Sequence, residues 1–200
     1  VDEAGRIAFV GSNDEALALT DGSTQVIDLG GRTLLPGLMD SHVHPGAAMT
    51  EFDHEIPTMA TIADVLTYIA GRVKVSKPGE LILVRQVFIT RLEEKRYPTR
   101  TELDRIAPEN PVVFSTGPDS MLNSLALKLG GYGRHFKAPE GSAGKMEVDA
   151  TGEPTGLLRS LPHNVKARSS AKSPTVEDTY RRTAALFRAY NEVGLTTVAD

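Results

Sequence analysis

The chain has 200 residues, and 22 Lys and Arg against 26 Asp and Glu give a formal net charge of −4 at pH 7. Hydrophobic residues make up 40% and charged residues 24%, which excludes a disordered polar chain, a collagen-like repeat and a coiled-coil rod. The mildly acidic balance argues against nucleic acid or an anionic membrane surface as the main partner. No stretch approaches the ~20 apolar residues of a membrane helix. Cysteine is absent, so any metal must be held by His and carboxylates.

Residues 1–36 are predicted to be all-β and to form a small β-sandwich, because short apolar runs alternate there with glycine. The expected strands cover residues 7–10, 25–29 and 32–35. After Pro36-Gly37, residues 38–44 are predicted to form one more short strand, which Pro45 closes.

A helical period begins at residue 62, and Thr61 and Asp64 are arranged like a capping box in front of it. The elements expected from there on are a helix over 62–73, a strand over 81–89, a helix over 101–107 capped by Thr101, a strand over 111–115 and a helix over 123–129. Strands that alternate with helices indicate an α/β fold.

The last third of the chain starts with a stretch of weak periodicity. Residues 130–173 are rich in Gly, Ser, Pro and Lys and are expected to form a long functional loop or a mobile insertion. Ser173 is predicted to be the N-cap and Pro174 the first residue of a helix that buries Tyr180 and Phe187 in the core. Residues 194–200 are β-branched and apolar and should begin a buried strand. Because a final strand needs something to pack on, we expect the chain to be the first part of a longer protein.

The stretch that carries chemistry is Asp40-Ser41-His42-Val43-His44-Pro45. On a strand, residues two apart point to the same side, so the imidazoles of His42 and His44 should project together. Two such rings can bind one divalent ion at about 2.0–2.1 Å per nitrogen. Asp40 is expected either to orient one imidazole or to serve in a structural turn. A bare H-x-H pair also occurs on ordinary half-exposed strands, so the pair alone leaves both interpretations open.

The neighbouring residues make the pattern more specific. Residues 34–45 resemble the first-strand signature of the amidohydrolase superfamily of metal-dependent hydrolases. Three further stretches, at 98–104, 123–127 and 149–158, resemble amidohydrolase family 3, which includes enzymes like N-substituted formamide deformylase. Residues 194–200 resemble the second barrel strand of that group. These motifs, in this order, are far more specific than H-x-H alone.

The resemblance implies a fold and a domain plan. The fold would be α/β, a (β/α)₈ TIM barrel with a small N-terminal β-sandwich domain, with only the first part of the barrel in this chain. Residues 1–36 would belong to the composite sandwich and 37–64 to the first barrel strand and its metal motif. Residues 65–165 would be an α/β insertion, and 166–200 a barrel helix and the second barrel strand.

The resemblance also implies site residues. His42 and His44 would be metal ligands for one or two divalent ions, with zinc as the expected metal. The remaining ligands and the general base, usually a late Asp in this family, would lie beyond Asp200. One departure concerns the loop before Asn123, which reads Thr-Gly-Pro-Asp where many members have Asp-Gly-His. This departure leaves any substrate contact from that loop in doubt.

Other polar residues are weaker candidates. His163 and Arg159 are predicted to contact substrate, although an irregular loop position and a surface ion pair are the ordinary roles of such residues. His54 could be a metal ligand, although its charged stretch is more often simply solvated, and His135 could line a substrate loop. Asp200 is expected to face the barrel mouth or to cap a following helix.

The expected activity is metal-dependent hydrolysis of an amide-type C–N bond in a small molecule. One alternative is a catalytically inactive amidohydrolase-like protein with a regulatory or assembly role, and another is a complete small α/β binding module. We expect a small-molecule substrate and neither nucleic acid nor membrane as partner, and a homo-oligomer is left open. No signal-peptide pattern is visible, so a cytoplasmic location is expected.

Overall fold

A computed structural model describes residues 1–48, 51–85, 87–169, 171 and 173–200. The chain divides into two units, Val1–Leu38 and Met39–Asp200. In the first unit the structure has one short helix, α1 (Asn13–Leu17), and residues 1–37 contain no strand. The strands expected at 7–10, 25–29 and 32–35 are therefore wrong, and the β-sandwich is not confirmed. The side chains that were to face its core are exposed, because residues 1–37 contain no sheet to cover them.

From residue 38 onward strands and helices alternate. In chain order the elements are β1 (Leu38–Asp40), α2 (Pro45–Ala48), α3 (Ile62–Val75), β2 (Ile82–Val84), a 3₁₀ turn (Ile89–Arg91), α4 (Arg100–Ile106), β3 (Val112–Thr116), β4 (Asp119–Leu122), α5 (Ser124–Gly130), β5 (Lys145–Val148), β6 (Pro154–Arg159), α6 (Val176–Glu192) and β7 (Leu195–Val198). The predicted mixed α/β content is confirmed.

Five of these strands form one sheet in the order β2-β3-β4-β6-β5. The pair β2 and β3 is parallel, and the other neighbours are antiparallel. Phe114 of β3 packs in a core cluster with α3 and α4, whereas Val113 packs in a second cluster with α5. Both faces of β3 are thus buried, which explains why its first three residues, Val112–Phe114, are all apolar. The sheet lies within residues 65–165, and that this range is an insertion stays a prediction.

Local signals predicted the start of α3 correctly, whereas α6 is capped by Thr175 and not by Ser173. The Thr61 side chain accepts the Asp64 N–H and the Asp64 side chain accepts the Thr61 N–H, as expected for the capping box of α3. Helix α4 is capped by Thr99 and not by Thr101, because Thr99 and Glu102 form the reciprocal capping pair. Of the strand expected over 81–89, only β2 is formed, and Gln86 lies outside the described residues.

The long loop expected over 130–173 is only partly a loop. Strands β5 and β6 form an antiparallel pair in it, joined by a turn in which Asp149 Oδ1 accepts the N–H groups of Thr151 and Glu153. The prediction was wrong because charged and Gly residues hide the alternation in these strands. Positions 170 and 172 of this range lie outside the described residues.

The prediction that α6 buries Tyr180 and Phe187 is also wrong. Tyr180 is 71% exposed and Phe187 is 43% exposed. Helix α6 packs mainly on β7 and α2, so its remaining apolar side chains have no covering element among the described residues. Among all the residues that the structure describes, no helix is long and apolar enough to cross a membrane.

Candidate metal centre

The H-x-H segment is held next to β7 by backbone hydrogen bonds. Strand β1 pairs with β7 in a two-stranded sheet. The Ala199 N–H donates to Asp40 O at 3.0 Å, and Ala199 O accepts the Val43 N–H at 2.9 Å. The further strands of a barrel stay a prediction.

His42 and His44 lie beyond β1, so the prediction that residues 38–44 form one strand is wrong. The strand ends because Asp40 Oδ1 accepts the His42 N–H at 3.0 Å, which closes a turn, and Pro45 then begins α2. The rings nevertheless converge. Their Nε2 atoms are 3.2 Å apart and their centroids 4.9 Å apart, with the ring planes at 80°.

The two ring nitrogens fit a shared metal ion. Two nitrogens at 2.0–2.1 Å from one tetrahedral ion are about 3.3–3.4 Å apart. The observed separation of 3.2 Å between His42 Nε2 and His44 Nε2 is close to that value. Neutral imidazole nitrogen is among the commonest protein ligands of divalent transition metals. The donor set is therefore suited to zinc or a similar ion, although two ligands do not complete a site.

The sequence allowed two roles for Asp200, at the barrel mouth or as a helix cap. The structure places its carboxylate beside His44. Its Oδ1 lies 2.8 Å from His44 Nδ1, the nitrogen that faces away from His42. The side chains of His44 and Asp200 are 64% and 65% exposed, so as an ion pair this contact adds little to stability. Asp40 differs, because its carboxylate contacts the backbone of His42.

Arg159 is engaged by two carboxylates. Its Nε donates to Glu147 at 2.7 Å and its Nη1 donates to Asp119 at 2.9 Å, while the guanidinium lies over the Tyr97 ring. The hydrogen bond to Glu147 is the main reason that the pKa of Arg159 is raised. In the described residues no contact joins Arg159 to His42 or His44. A substrate role for Arg159 stays a prediction, and the observed partners are those of a structural ion pair.

His163 lies in the segment after β6 and is half-buried. It lines a cavity together with Ser115, Gly117 and Ser160. Its Nδ1 is buried and has no hydrogen-bond partner in the described structure. Burial, with a smaller contribution from the charge of Arg85, lowers the pKa of His163. This cavity is built by the five-stranded sheet, and a substrate role for His163 stays a prediction.

A third group contains His54. Ligand atoms of Glu51, Asp53 and His54 lie within 4.8 Å of one another, a spacing that could hold a metal ion. However, the Arg72 guanidinium lies 3.2 Å from His54 Nδ1 and 3.4 Å from Asp53, and Tyr68 Oη lies 2.9 Å from His54 Nε2. Both ring nitrogens thus have protein partners, and a cation would be repelled by Arg72. We interpret the group as a hydrogen-bonded ion-pair network.

Sequence reasoning missed two of these contacts. The network around His54 had a local signal, since Tyr68 and Arg72 are four residues apart on α3 and face the same side. The contact of His44 with Asp200 spans 156 positions and had no such signal.

Nearly the whole chain is similar in sequence to known proteins. The family model described as the amidohydrolase family matches residues 25–200. The chain is 33% identical over 204 residues to the N-substituted formamide deformylase of Arthrobacter pascens, covering 98% of this chain and 37% of that protein. It is 29% identical over 209 residues to the exoenzymes regulatory protein AepA of Pectobacterium carotovorum subsp. carotovorum, covering 100% and 44%. The chain spans less than half the length of these relatives.

A solved structure, an uncharacterized metal-dependent hydrolase from Pyrococcus horikoshii, is 20% identical with a TM-score of 0.37, and the match covers 82% of this chain and 30% of that one. The sequence match of the family model over residues 25–200 decides the family. The chain belongs to amidohydrolase family 3, as its sequence motifs predicted.

Proposed function

We propose that this chain contributes two metal ligands, His42 and His44, to a hydrolase that cleaves an amide-type C–N bond of a small molecule. The observation that carries the proposal is the separation of 3.2 Å between the two Nε2 atoms, which suits one divalent ion. Family membership supports the class of reaction, and the name of the Arthrobacter relative supports an amide-type bond. Zinc is the metal we propose.

In this proposal the residues of this chain bind the metal ion and orient its histidine ligands. His42 and His44 present their Nε2 atoms to one point, and the Asp40 carboxylate fixes the turn that carries His42. A bound divalent cation would supply Lewis acidity to a scissile carbonyl and lower the pKa of a water molecule to near 7. The general base is expected outside residues 1–200.

The test is the substitution His42→Ala in the intact protein. Because it removes one of the two converging nitrogens, we expect the variant to lose its bound zinc and its turnover of N-substituted formamides. Metal content is measured by elemental analysis, and turnover by release of the amine. The control is His135→Ala, which removes an exposed imidazole from the loop after α5 and should keep the metal. Full metal content in the His42→Ala protein would refute the ligand assignment.

A second candidate is a regulatory protein without catalysis. It is favoured by the name of the Pectobacterium relative, the exoenzymes regulatory protein AepA. Retention of both His42 and His44 favours the enzyme. An intact wild-type protein that binds no divalent metal and hydrolyses no amide would favour the regulatory function.

A further inference from the structure

We propose that Asp200 is a positioning residue that fixes the tautomer and orientation of His44. This inference rests on the proposed function and concerns the same site. The sequence suggested Asp40 as the residue that orients an imidazole. In the structure the Asp40 carboxylate accepts the backbone N–H of His42, and the Asp200 carboxylate contacts the imidazole of His44.

The contact selects one tautomer of the ring. An ionised carboxylate only accepts hydrogen bonds, so a distance of 2.8 Å from Asp200 Oδ1 to His44 Nδ1 requires the proton on Nδ1. The lone pair of a neutral ring is then on Nε2, the atom that lies 3.2 Å from His42 Nε2. A carboxylate on the outer nitrogen also raises the basicity of the inner one as a ligand. Asp200 therefore prepares His44 for a metal at the point shared with His42.

The position of Asp200 is set by the backbone. The preceding residue, Ala199, is bonded on both sides to the H-x-H segment, through its N–H to Asp40 and through its O to Val43. Asp200 follows one residue later and thus starts next to His44 although its side chain is 65% exposed. A carboxylate held at this place by two backbone bonds costs less conformational entropy to order than one on a free loop.

The experiment compares zinc affinity in the intact protein and in two variants, Asp200→Asn and Asp200→Ala. Affinity is measured by competition with a chromophoric chelator. We expect both substitutions to weaken zinc binding about 10- to 100-fold, the usual cost of losing such a partner. The matched control is Glu192→Gln, which removes an exposed carboxylate at the end of α6 and should leave the affinity unchanged.

A second readout separates positioning from a general structural effect. The ¹⁵N shifts of the His44 ring, recorded without metal at mildly alkaline pH, should show the Nδ1–H tautomer in the wild type and a mixture of tautomers in Asp200→Ala. Asp200→Asn is nearly isosteric, so it keeps the test valid if Asp200→Ala does not fold.

The outcomes distinguish this inference from the proposed function. Zinc binding in the wild type with unchanged affinity in both Asp200 variants would overturn the positioning role and leave the function standing. No zinc binding in the wild type would overturn both. Equal weakening in Glu192→Gln would show that only the overall charge matters, and would also overturn the role of Asp200.

Discussion

The side chain of Asn123 joins two helices and a strand of the five-stranded unit, and its removal is the sharpest stability test. Asn123 is 1% exposed. Its Oδ1 accepts the N–H groups of Val112 at 3.0 Å and Ala126 at 2.9 Å, and its Nδ2 donates to Ala107 O at 3.2 Å and Asn110 O at 2.9 Å. One amide therefore caps α5, ties the start of β3 and holds the end of α4.

The magnitude follows from the number of bonds. Each hydrogen bond contributes about 1 kcal/mol net, and Asn123→Ala removes four of them, so we expect a loss of about 4 kcal/mol. The backbone groups left behind are buried, where an unsatisfied donor or acceptor is most costly. Such a loss is a large part of the 5–15 kcal/mol that stabilises an ordinary domain.

The assay is amide hydrogen exchange in the intact protein, because it reports the opening free energy at the Val112 and Ala126 amides themselves. The control is Ser124→Ala at the neighbouring position, which removes a solvent-exposed hydrogen bond of 2.7 Å from the Ser124 hydroxyl to Asp104 and should cost at most about 1 kcal/mol. If Asn123→Ala cost no more than Ser124→Ala at these amides, the four-bond argument would be refuted.

Two further predictions concern β6 and α4. Gly156→Ala should lower the melting temperature far more than Gly152→Ala. Both glycines have a positive φ, 106° at Gly156 and 83° at Gly152. A Cβ added at Gly156 would lie 2.6 Å from Leu122 O, whereas a Cβ added at Gly152 would meet nothing within 4 Å. The hydrogen bond from Arg96 lowers the pKa of Glu102 from 4.5 to about 2, so the stabilisation from this pair is complete above pH 4.5 and lost as the pH falls towards 2. In urea unfolding, the deficit of Glu102→Gln against wild type should therefore shrink over that range, and a constant deficit would contradict the assignment.

Elements with local signals could be predicted from the sequence. Helix α3 carries its own capping pair and apolar stripe, and the strand expected over 111–115 and the helix expected over 123–129 are present within one residue. Their signals act within a few positions, because a cap or an apolar stripe depends on the neighbouring turn.

Features that depend on distant partners could not be predicted. The burial of Tyr180 and Phe187 on α6 requires an element over that face, and the strands of residues 1–36 require a pairing neighbour. A periodic pattern shows which face is apolar but not what covers it. The hairpin of β5 and β6 was hidden for a different reason, since its edge strand Lys145–Val148 carries charged side chains.

The convergence of His42 and His44 was predicted from a regular strand, but in the structure it arises from a turn after Asp40. On a regular strand the Cα atoms of two residues two apart are about 6.6 Å apart, with parallel side chains. The rings meet at 3.2 Å instead because the chain bends after Asp40, where one carboxylate holds the turn and Ala199 bonds on both sides of it. The geometry of the two imidazoles therefore depends on a strand more than 150 positions later. A substitution that weakens the pairing of β7 should change the separation of the two Nε2 atoms without altering either histidine.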